Sequence, residues 1–250
     1  MPKLFEVYPQ QREEVAIWKM MRHPVFIDFA GNYMLRWVAI NIPMNAFGRN
    51  GFEGDIDLIY SLAAPPIPNT HPSYIRAFEI KTATVDGNGT IKSLDSTKFE
   101  HGLRQCEKLQ AFGAEMIFLI DILILEQGKF IINDPVWEKV DKTLADRTKL
   151  VEPTSFGYNV KFLQYLEEGD EFQAGMMYPP RDYVLGKHLP IGEPFKLFTD
   201  KLAEHAGKAG FKNGPPILFF CKECGKIPVS RTNVRNPVCE YCGYTIPVHD

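Results

Sequence analysis

The sequence predicts an α/β fold, with a mixed sheet flanked by helices, followed by a small module that contains cysteines. Residues 54–59 and 78–82 alternate apolar and charged residues, as half-buried strands do. The segment Ser96–Phe112 repeats apolar residues every three or four positions, which is typical of an amphipathic helix that ends at Gly113. Met116–Leu125 is a long apolar run that suits a buried central strand.

The remaining elements are expected on similar grounds of period and turn residues. Helices are predicted at residues 9–21, 138–150 and 195–210, strands at 34–42 and 157–166, a proline-containing loop at 61–76 and an extended connector at 175–194. We expect an α/β domain over residues 1–195, with its core motifs in 10–125. A linker helix and the cysteine module are expected over residues 196–250.

Composition and charge limit the class of protein. A chain of 250 residues with 45% hydrophobic and 12% aromatic residues can bury the core of one globular domain plus a small module. The longest apolar run contains Asp121 and is too short to span a membrane. No signal peptide is evident, so we expect a reducing, cytoplasmic location and no membrane. A net charge of −3 is not typical of a strong, general DNA binder.

Charged residues on the two alternating strands form a candidate site. Asp55 and Asp57 share one face of the first strand, and Glu79 and Lys81 share one face of the second. If these strands are neighbours, carboxylates and an ammonium meet above an apolar sheet, where they can bind a hard cation and a phosphodiester. The alternative is a surface strand with solvated charges, because Glu-x-Lys is ordinary on an exposed strand face.

This arrangement resembles the PD-(D/E)xK nuclease superfamily, which has a restriction-endonuclease-like core. Asp57 follows Gly54 at the spacing of the family's metal-binding Asp, and Glu79-Ile80-Lys81 matches the (Asp/Glu)-x-Lys triplet. The resemblance implies that Asp57, Glu79 and the backbone carbonyl of Ile80 hold Mg²⁺ or Mn²⁺. It also implies that Lys81 orients the attacking water and stabilises charge on the phosphate.

Two helices supply further residues in this family. Gln105 on the helix after the triplet resembles a family glutamine beside the active site, with Gln110 as the alternative. On the first helix Glu14 is favoured over Glu13 as a carboxylate that faces metal or water, although the helix dipole alone also favours acidic residues there. Asp55 or Glu14 is the candidate support for a second ion.

The resemblance implies a Mg²⁺-dependent endodeoxyribonuclease that leaves a 5′-phosphate and a 3′-hydroxyl. We expect DNA as its nucleic acid and a role in restriction or in antiviral defence against foreign DNA. Two alternatives stay open: a non-catalytic nucleic-acid-binding module that keeps the nuclease fold, and a scaffold subunit of a larger assembly. A protein partner or a homo-oligomer is compatible with each of them.

The C-terminal module carries two Cys-x-x-Cys-Gly turns. Cys221 and Cys224 form the first pair and Cys239 and Cys242 the second, a spacing that favours a structural Zn²⁺ in a zinc ribbon over disulfides or a redox motif. Four thiolates leave no open coordination position, so this metal is not expected to be catalytic. Residues 201–238 carry seven basic and two acidic residues, which indicates either phosphate contact or a solvated basic surface. Cys106 is expected to be buried on the apolar face of its helix.

Overall fold

A computed structural model describes residues 12–22, 35–48, 51–63, 73–86, 88–92, 96–125, 135–166, 169–178, 191–210, 215–231, 234 and 236–246. Its fold is α/β, with strands in a mixed sheet and helices that flank it. The helices are α1 (Arg12–Arg22), α2 (Ser96–Phe112), α3 (Pro135–Val151) and α4 (Glu193–Lys208). The strands are β1 (Leu35–Pro43), β2 (Asp55–Ala63), β3 (Ser73–Val85), β4 (Ile91–Lys92), β5 (Met116–Leu125), β6 (Gly157–Leu166), β7 (Gly169–Tyr178), β8 (Pro216–Phe219) and β9 (Val229–Arg231). Among these helices none is long and apolar enough to cross a membrane.

The chain forms two compact units. The first comprises Met1–Phe78, Leu109–Glu115 and Pro190–Asp250. Its strands follow the order β3-β2-β1-β8-β9, where β2 is antiparallel to both β1 and β3, and β8 runs parallel to β1. Because β8 pairs with β1, the chain segment that leads into the cysteine turns belongs to the same unit as the N-terminal strands.

The second unit comprises Glu79–Lys108 and Met116–Leu189. Its strands follow the order β7-β6-β5-β3, and β4 pairs with β3. Strand β3 is divided between the units, since its residues up to Phe78 belong to the first and those from Glu79 onward to the second. Strands β5 and β6 are parallel, whereas β6 and β7 are antiparallel. In β5 nearly every residue is buried, as expected for a strand covered on both faces.

The elements predicted from a strong hydrophobic period are mostly confirmed. Helix α2 and strands β5 and β6 have the expected bounds, and Cys106 is buried. The loop predicted at residues 61–76 is wrong at both ends, because the β2–β3 ladder continues to the pair Ala63 and Ser73. The four prolines between them lie outside the described residues.

The connector predicted at residues 175–194 is also wrong at its start. Strand β7 extends to Tyr178 because its backbone pairs with β6, and α4 begins at Glu193. The hydrogen bonds to β6 stabilise the end of this strand, and a glycine-containing sequence gives no indication of such pairing by itself. Residues 179–190 of the predicted connector, and residues 9–11 of the first predicted helix, lie outside the described part of the chain.

Candidate functional site

The Glu-x-Lys triplet lies on the second half of β3, in the second unit. The Glu79 side chain is completely buried and that of Lys81 is 14% exposed, and the Lys81 ammonium donates a hydrogen bond to the Glu79 carboxylate. The alternative of solvated charges on a surface strand is therefore wrong. Burying a carboxylate costs several kcal/mol unless a partner compensates it, so this ion pair is not an incidental surface contact.

Helix α2 approaches the stem of Lys81 through a glycine. A Cβ added to Gly102 would lie 3.4 and 3.5 Å from Cγ and Cε of Lys81, and 2.9 Å from Cδ1 of Leu119. Gln105 follows Gly102 by three positions and therefore lies on a similar side of the helix. Its Oε1 atom is buried, whereas Gln110 is exposed. This placement favours Gln105 over Gln110 as the helix residue near Lys81.

A buried polar cluster in the same unit was missed by sequence reasoning. Oδ2 of Asp121 on β5 accepts hydrogen bonds from Nη1 of Arg147 at 2.8 Å and from the hydroxyl of Tyr158 at 2.6 Å. The Arg147 guanidinium lies 4.8 Å from the centre of the Phe99 ring on α2. The available signal was a single aspartate inside an apolar run, which is costly to bury without partners.

The cluster has a mixed electrostatic environment. Burial raises the pKa of Asp121 above its ordinary value, while the charge of Arg147, the hydrogen bond from Tyr158 and the charge of Lys81 act to lower it. Burial and the charge of Asp121 together raise the pKa of Tyr158 far above its ordinary value, so Tyr158 remains a hydrogen-bond donor.

Asp55 and Asp57 lie on β2, in the first unit. Asp57 is 7% exposed, whereas Asp55 at the start of the strand is exposed. In the ladder between β2 and β3, Leu58, the residue after Asp57, is paired with Phe78, the residue before Glu79. Thus the structure assigns Glu79, Ile80, Lys81 and Gln105 to the second unit, and Asp55, Asp57, Glu14 and the four module cysteines to the first.

Glu14 on α1 is buried, whereas Glu13 is half-buried. Burial raises the pKa of Glu14, and the charge of Lys222 and a hydrogen bond with the Asn41 side chain oppose that shift. Asn41 lies in the middle of β1 and has a φ of 52°, the one left-handed non-glycine residue among those described. Asparagine tolerates this conformation better than most residues, but its position could not be read from the sequence.

The four module cysteines come together as the spacing predicts. Their sulfur atoms lie within 4.8 Å of one another. Sγ of Cys221 is 3.6 Å from that of Cys242, and the Cys224 and Cys239 sulfurs are also 3.6 Å apart. A tetrahedral zinc with bonds of about 2.3 Å needs sulfur atoms about 3.8 Å apart. The four residues can therefore hold a metal ion such as zinc.

Both cysteine turns have similar backbone hydrogen bonds. The N–H of Gly225 donates to the carbonyl of Cys221 at 2.8 Å, and Gly243 does the same to Cys239 at 2.8 Å. Both glycines have positive φ, 68° and 78°, which a side chain would disfavour.

Burial acts to raise the pKa of the Cys239 thiol, but hydrogen bonds from backbone N–H groups bring it down to about 7. A lower thiol pKa favours the thiolate that a metal requires. In the same cluster, however, burial raises the pKa of the Cys224 thiol, and the pKa of Cys242 is also raised, because burial and hydrogen bonds with the other sulfurs outweigh a backbone hydrogen bond. Metal binding must therefore displace protons from these thiols.

Part of the basic surface predicted for residues 201–238 is bound within the protein. Arg231 donates to the carbonyls of Ala209 and Gly210, just beyond the end of α4. Lys208 forms an ion pair with Glu204 at 3.1 Å, and Lys222 lies near Glu14. Lys201 and Lys226 are exposed, whereas Lys212 and Arg235 lie outside the described residues. Of these basic residues, Arg231 is therefore occupied by contacts within the protein, whereas Lys208 stays largely exposed in its ion pair and Lys222 is exposed.

Comparisons with protein-family models, with curated proteins and with solved structures found no match for this chain.

Proposed function

We propose that this protein is a metal-dependent nuclease that hydrolyses phosphodiester bonds of DNA. The buried ion pair of Glu79 and Lys81 is the observation that carries the proposal. A carboxylate and an ammonium on one strand face, both largely removed from water, interact strongly with a cation and a phosphate. The PD-(D/E)xK resemblance supplies the reaction class for this pair.

Each residue has a distinct part in the proposed reaction. Glu79 and the carbonyl of Ile80 would hold Mg²⁺ or Mn²⁺, which when bound polarises the phosphate and lowers the pKa of a coordinated water. Lys81 would orient that water and offset the charge that develops on the phosphate oxygens. Gln105 would position the water or the phosphate from α2. The role of Asp57 as a further ligand rests on the sequence signature, as do the supporting roles of Asp55 and Glu14.

Cleavage assays with isosteric variants test this proposal. Labelled linear, circular and single-stranded DNA is incubated with Mg²⁺, Mn²⁺ or EDTA. Glu79→Gln, Lys81→Met and Asp57→Asn should each lower the rate about 10²–10³-fold, because each removes a group that stabilises transition-state charge. Folding is checked by circular dichroism.

A matched control uses a surface ion pair with the same chemistry. Lys149 and Asp146 are 2.9 Å apart on α3 and both are more than half exposed. Lys149→Met and Asp146→Asn should leave cleavage unchanged. Wild-type rates in all three site variants would reject the site. A wild type that binds DNA in every metal condition but never cleaves it would favour the non-catalytic binding module instead.

We also propose that the cysteine cluster is a zinc ribbon with a structural role. Its four sulfurs lie within 4.8 Å of one another, close enough to coordinate one tetrahedral ion, and the two glycine turns resemble each other in their hydrogen bonds. The ring of Trp18 on α1 packs edge-on against Phe219 of β8, with centroids 5.8 Å apart, next to the first turn. Metal bound there would therefore stabilise the end of β8 and the contact with α1.

A further inference from the structure

Lys81 and Asp121 lie on the same side of the sheet in the second unit. Strands β3 and β5 are neighbours, and Gly102 of α2 lies over both the Lys81 stem and the Leu119 side chain. Leu119 and Asp121 are two positions apart on β5 and so share a face. The positive charge of Lys81 also acts on the Asp121 carboxylate. Glu79 and Asp121 therefore lie on the same side of the sheet as Lys81.

The two oxygens of Asp121 differ in their hydrogen bonding. Oδ2 accepts from both Arg147 and Tyr158, whereas Oδ1 is buried and accepts no hydrogen bond within the described part of the chain. A buried acceptor of a charged group that goes unsatisfied is costly. The Arg147 guanidinium at 2.8 Å favours the ionised carboxylate, so Oδ1 is a strong acceptor for a further donor.

Lys81 bonds Oε1 of Glu79. A divalent cation on the same carboxylate would repel the ammonium and draw negative charge toward itself, so the bond between Lys81 and Glu79 would weaken. A lysine side chain has a flexible stem and three donor hydrogens, so its ammonium can turn to another acceptor nearby. Among the described residues, Oδ1 of Asp121 is a buried oxygen on this sheet face that accepts no hydrogen bond, and Oε1 of Gln105 on α2 is another. Oδ1 belongs to a carboxylate whereas Oε1 is a neutral amide oxygen, so Oδ1 is the stronger acceptor for an ammonium.

We infer that Asp121 is a positioning residue that provides the second acceptor for Lys81. Lys81 bonds to Glu79 when Glu79 holds no cation, and turns to Oδ1 of Asp121 when Glu79 ligates one. This inference rests on the proposed function, since it takes Glu79 as a cation ligand. Asp121 thereby lowers the cost of cation binding and holds the ammonium where the phosphate arrives.

A double-mutant cycle on Mn²⁺ affinity tests the inference without using activity. Zinc-loaded wild type, Asp121→Asn, Lys81→Met and the double variant are titrated with Mn²⁺ by calorimetry. In wild-type background Asp121→Asn should weaken Mn²⁺ binding about 10–100-fold, the range expected for a hydrogen bond to a charged group. In the Lys81→Met background, where no ammonium needs an acceptor, the same change should have little effect.

The comparison of backgrounds separates positioning from other causes. A direct attraction between the Asp121 charge and the cation, or a merely structural role, would act equally with and without Lys81, and an equal loss overturns the inference. No loss in either background overturns it as well. Asp146→Asn, the same chemical change on the exposed face of α3, serves as the control.

Two further outcomes are distinguishable. If Asp121→Asn does not fold, because Arg147 is left buried without its carboxylate, the cycle is repeated with Asp121→Asn/Arg147→Met, which removes both charges. A wild type that binds Mn²⁺ but cleaves no nucleic acid rejects the nuclease, while the cycle still decides the role of Asp121. A wild type that binds no Mn²⁺ overturns the inference together with the cation site.

Discussion

Two glycines in the first unit are packed backbone to backbone, and replacing Gly192 by alanine should destabilise the protein. Gly113 follows α2 and Gly192 precedes α4, and the N–H of Gly192 donates to the carbonyl of Gly113 at 2.9 Å. A Cβ on Gly192 would lie 2.6 Å from Cα of Gly113, whereas ordinary contacts begin at 3.4 Å. The three atoms nearest to this Cβ are the Cα, O and C atoms of Gly113, which all belong to the backbone, so no flexible side chain can move aside.

The magnitude follows from this distance. Relieving the contact requires the two backbones to separate by 3.4 − 2.6 = 0.8 Å, which would break the hydrogen bond between them. A lost hydrogen bond costs about 1 kcal/mol and overpacking about 1–3 kcal/mol, so Gly192→Ala should lower the free energy of unfolding by about 2–4 kcal/mol. At about 2–4 °C per kcal/mol for a chain of this size, Tm should fall by about 5–15 °C.

Urea unfolding and thermal melts followed by circular dichroism measure this effect. Gly207→Ala on α4 is the matched control, since a Cβ there meets nothing within 4 Å and should stabilise the helix by about 0.5–1 kcal/mol. Gly113→Ala should be worse than Gly192→Ala, because Gly113 also has a φ of +106°. If Gly192→Ala unfolds at the urea concentration of the wild type, the steric argument is refuted.

Two further predictions concern the metal module and the first helix. The protein should contain one zinc per chain by elemental analysis. Cys221→Ser should lose the metal and melt at lower temperature, because metal binding is coupled to folding. Cys106→Ala, the control, should retain the metal. Zinc retained in Cys221→Ser would contradict the site. Since burial raises the pKa of Glu14 in the folded protein, its ionisation opposes folding as pH rises through that pKa. Glu14→Gln should therefore be more stable than wild type at neutral pH, and this advantage should disappear below the ordinary pKa of 4.5. Urea unfolding at neutral pH and below that pKa measures the difference, and a variant that gains stability only at the lower pH would contradict the prediction.

The candidate site was predictable where residue type and local period suffice. Alternation along one strand places Glu79 and Lys81 on a common face whatever surrounds them, because successive side chains of a strand point to opposite sides. The Cys-x-x-Cys-Gly spacing likewise predicts a turn that aims two sulfurs at one point, and the second pair predicts the cluster found in the structure.

The burial of Glu79 and Lys81 was not predictable from the sequence. The same Glu-x-Lys pattern serves a solvated strand equally well, and the packing of α2 through Gly102 excludes that alternative. Asp121 shows a similar limit, since its partners Arg147 and Tyr158 are 26 and 37 positions away in sequence. Neither separation has a periodic signature.

The sequence by itself determined the helices and strands with strong hydrophobic periods and the chemistry of the four-cysteine cluster, because both depend on residues close together in the chain. Tertiary structure decided the parallel pairing of β8 with β1, the left-handed backbone of Asn41 and the partners of Glu14 and Asp121. These features depend on which distant segments pack together, and the free energy of that packing comes from contacts that no local pattern encodes.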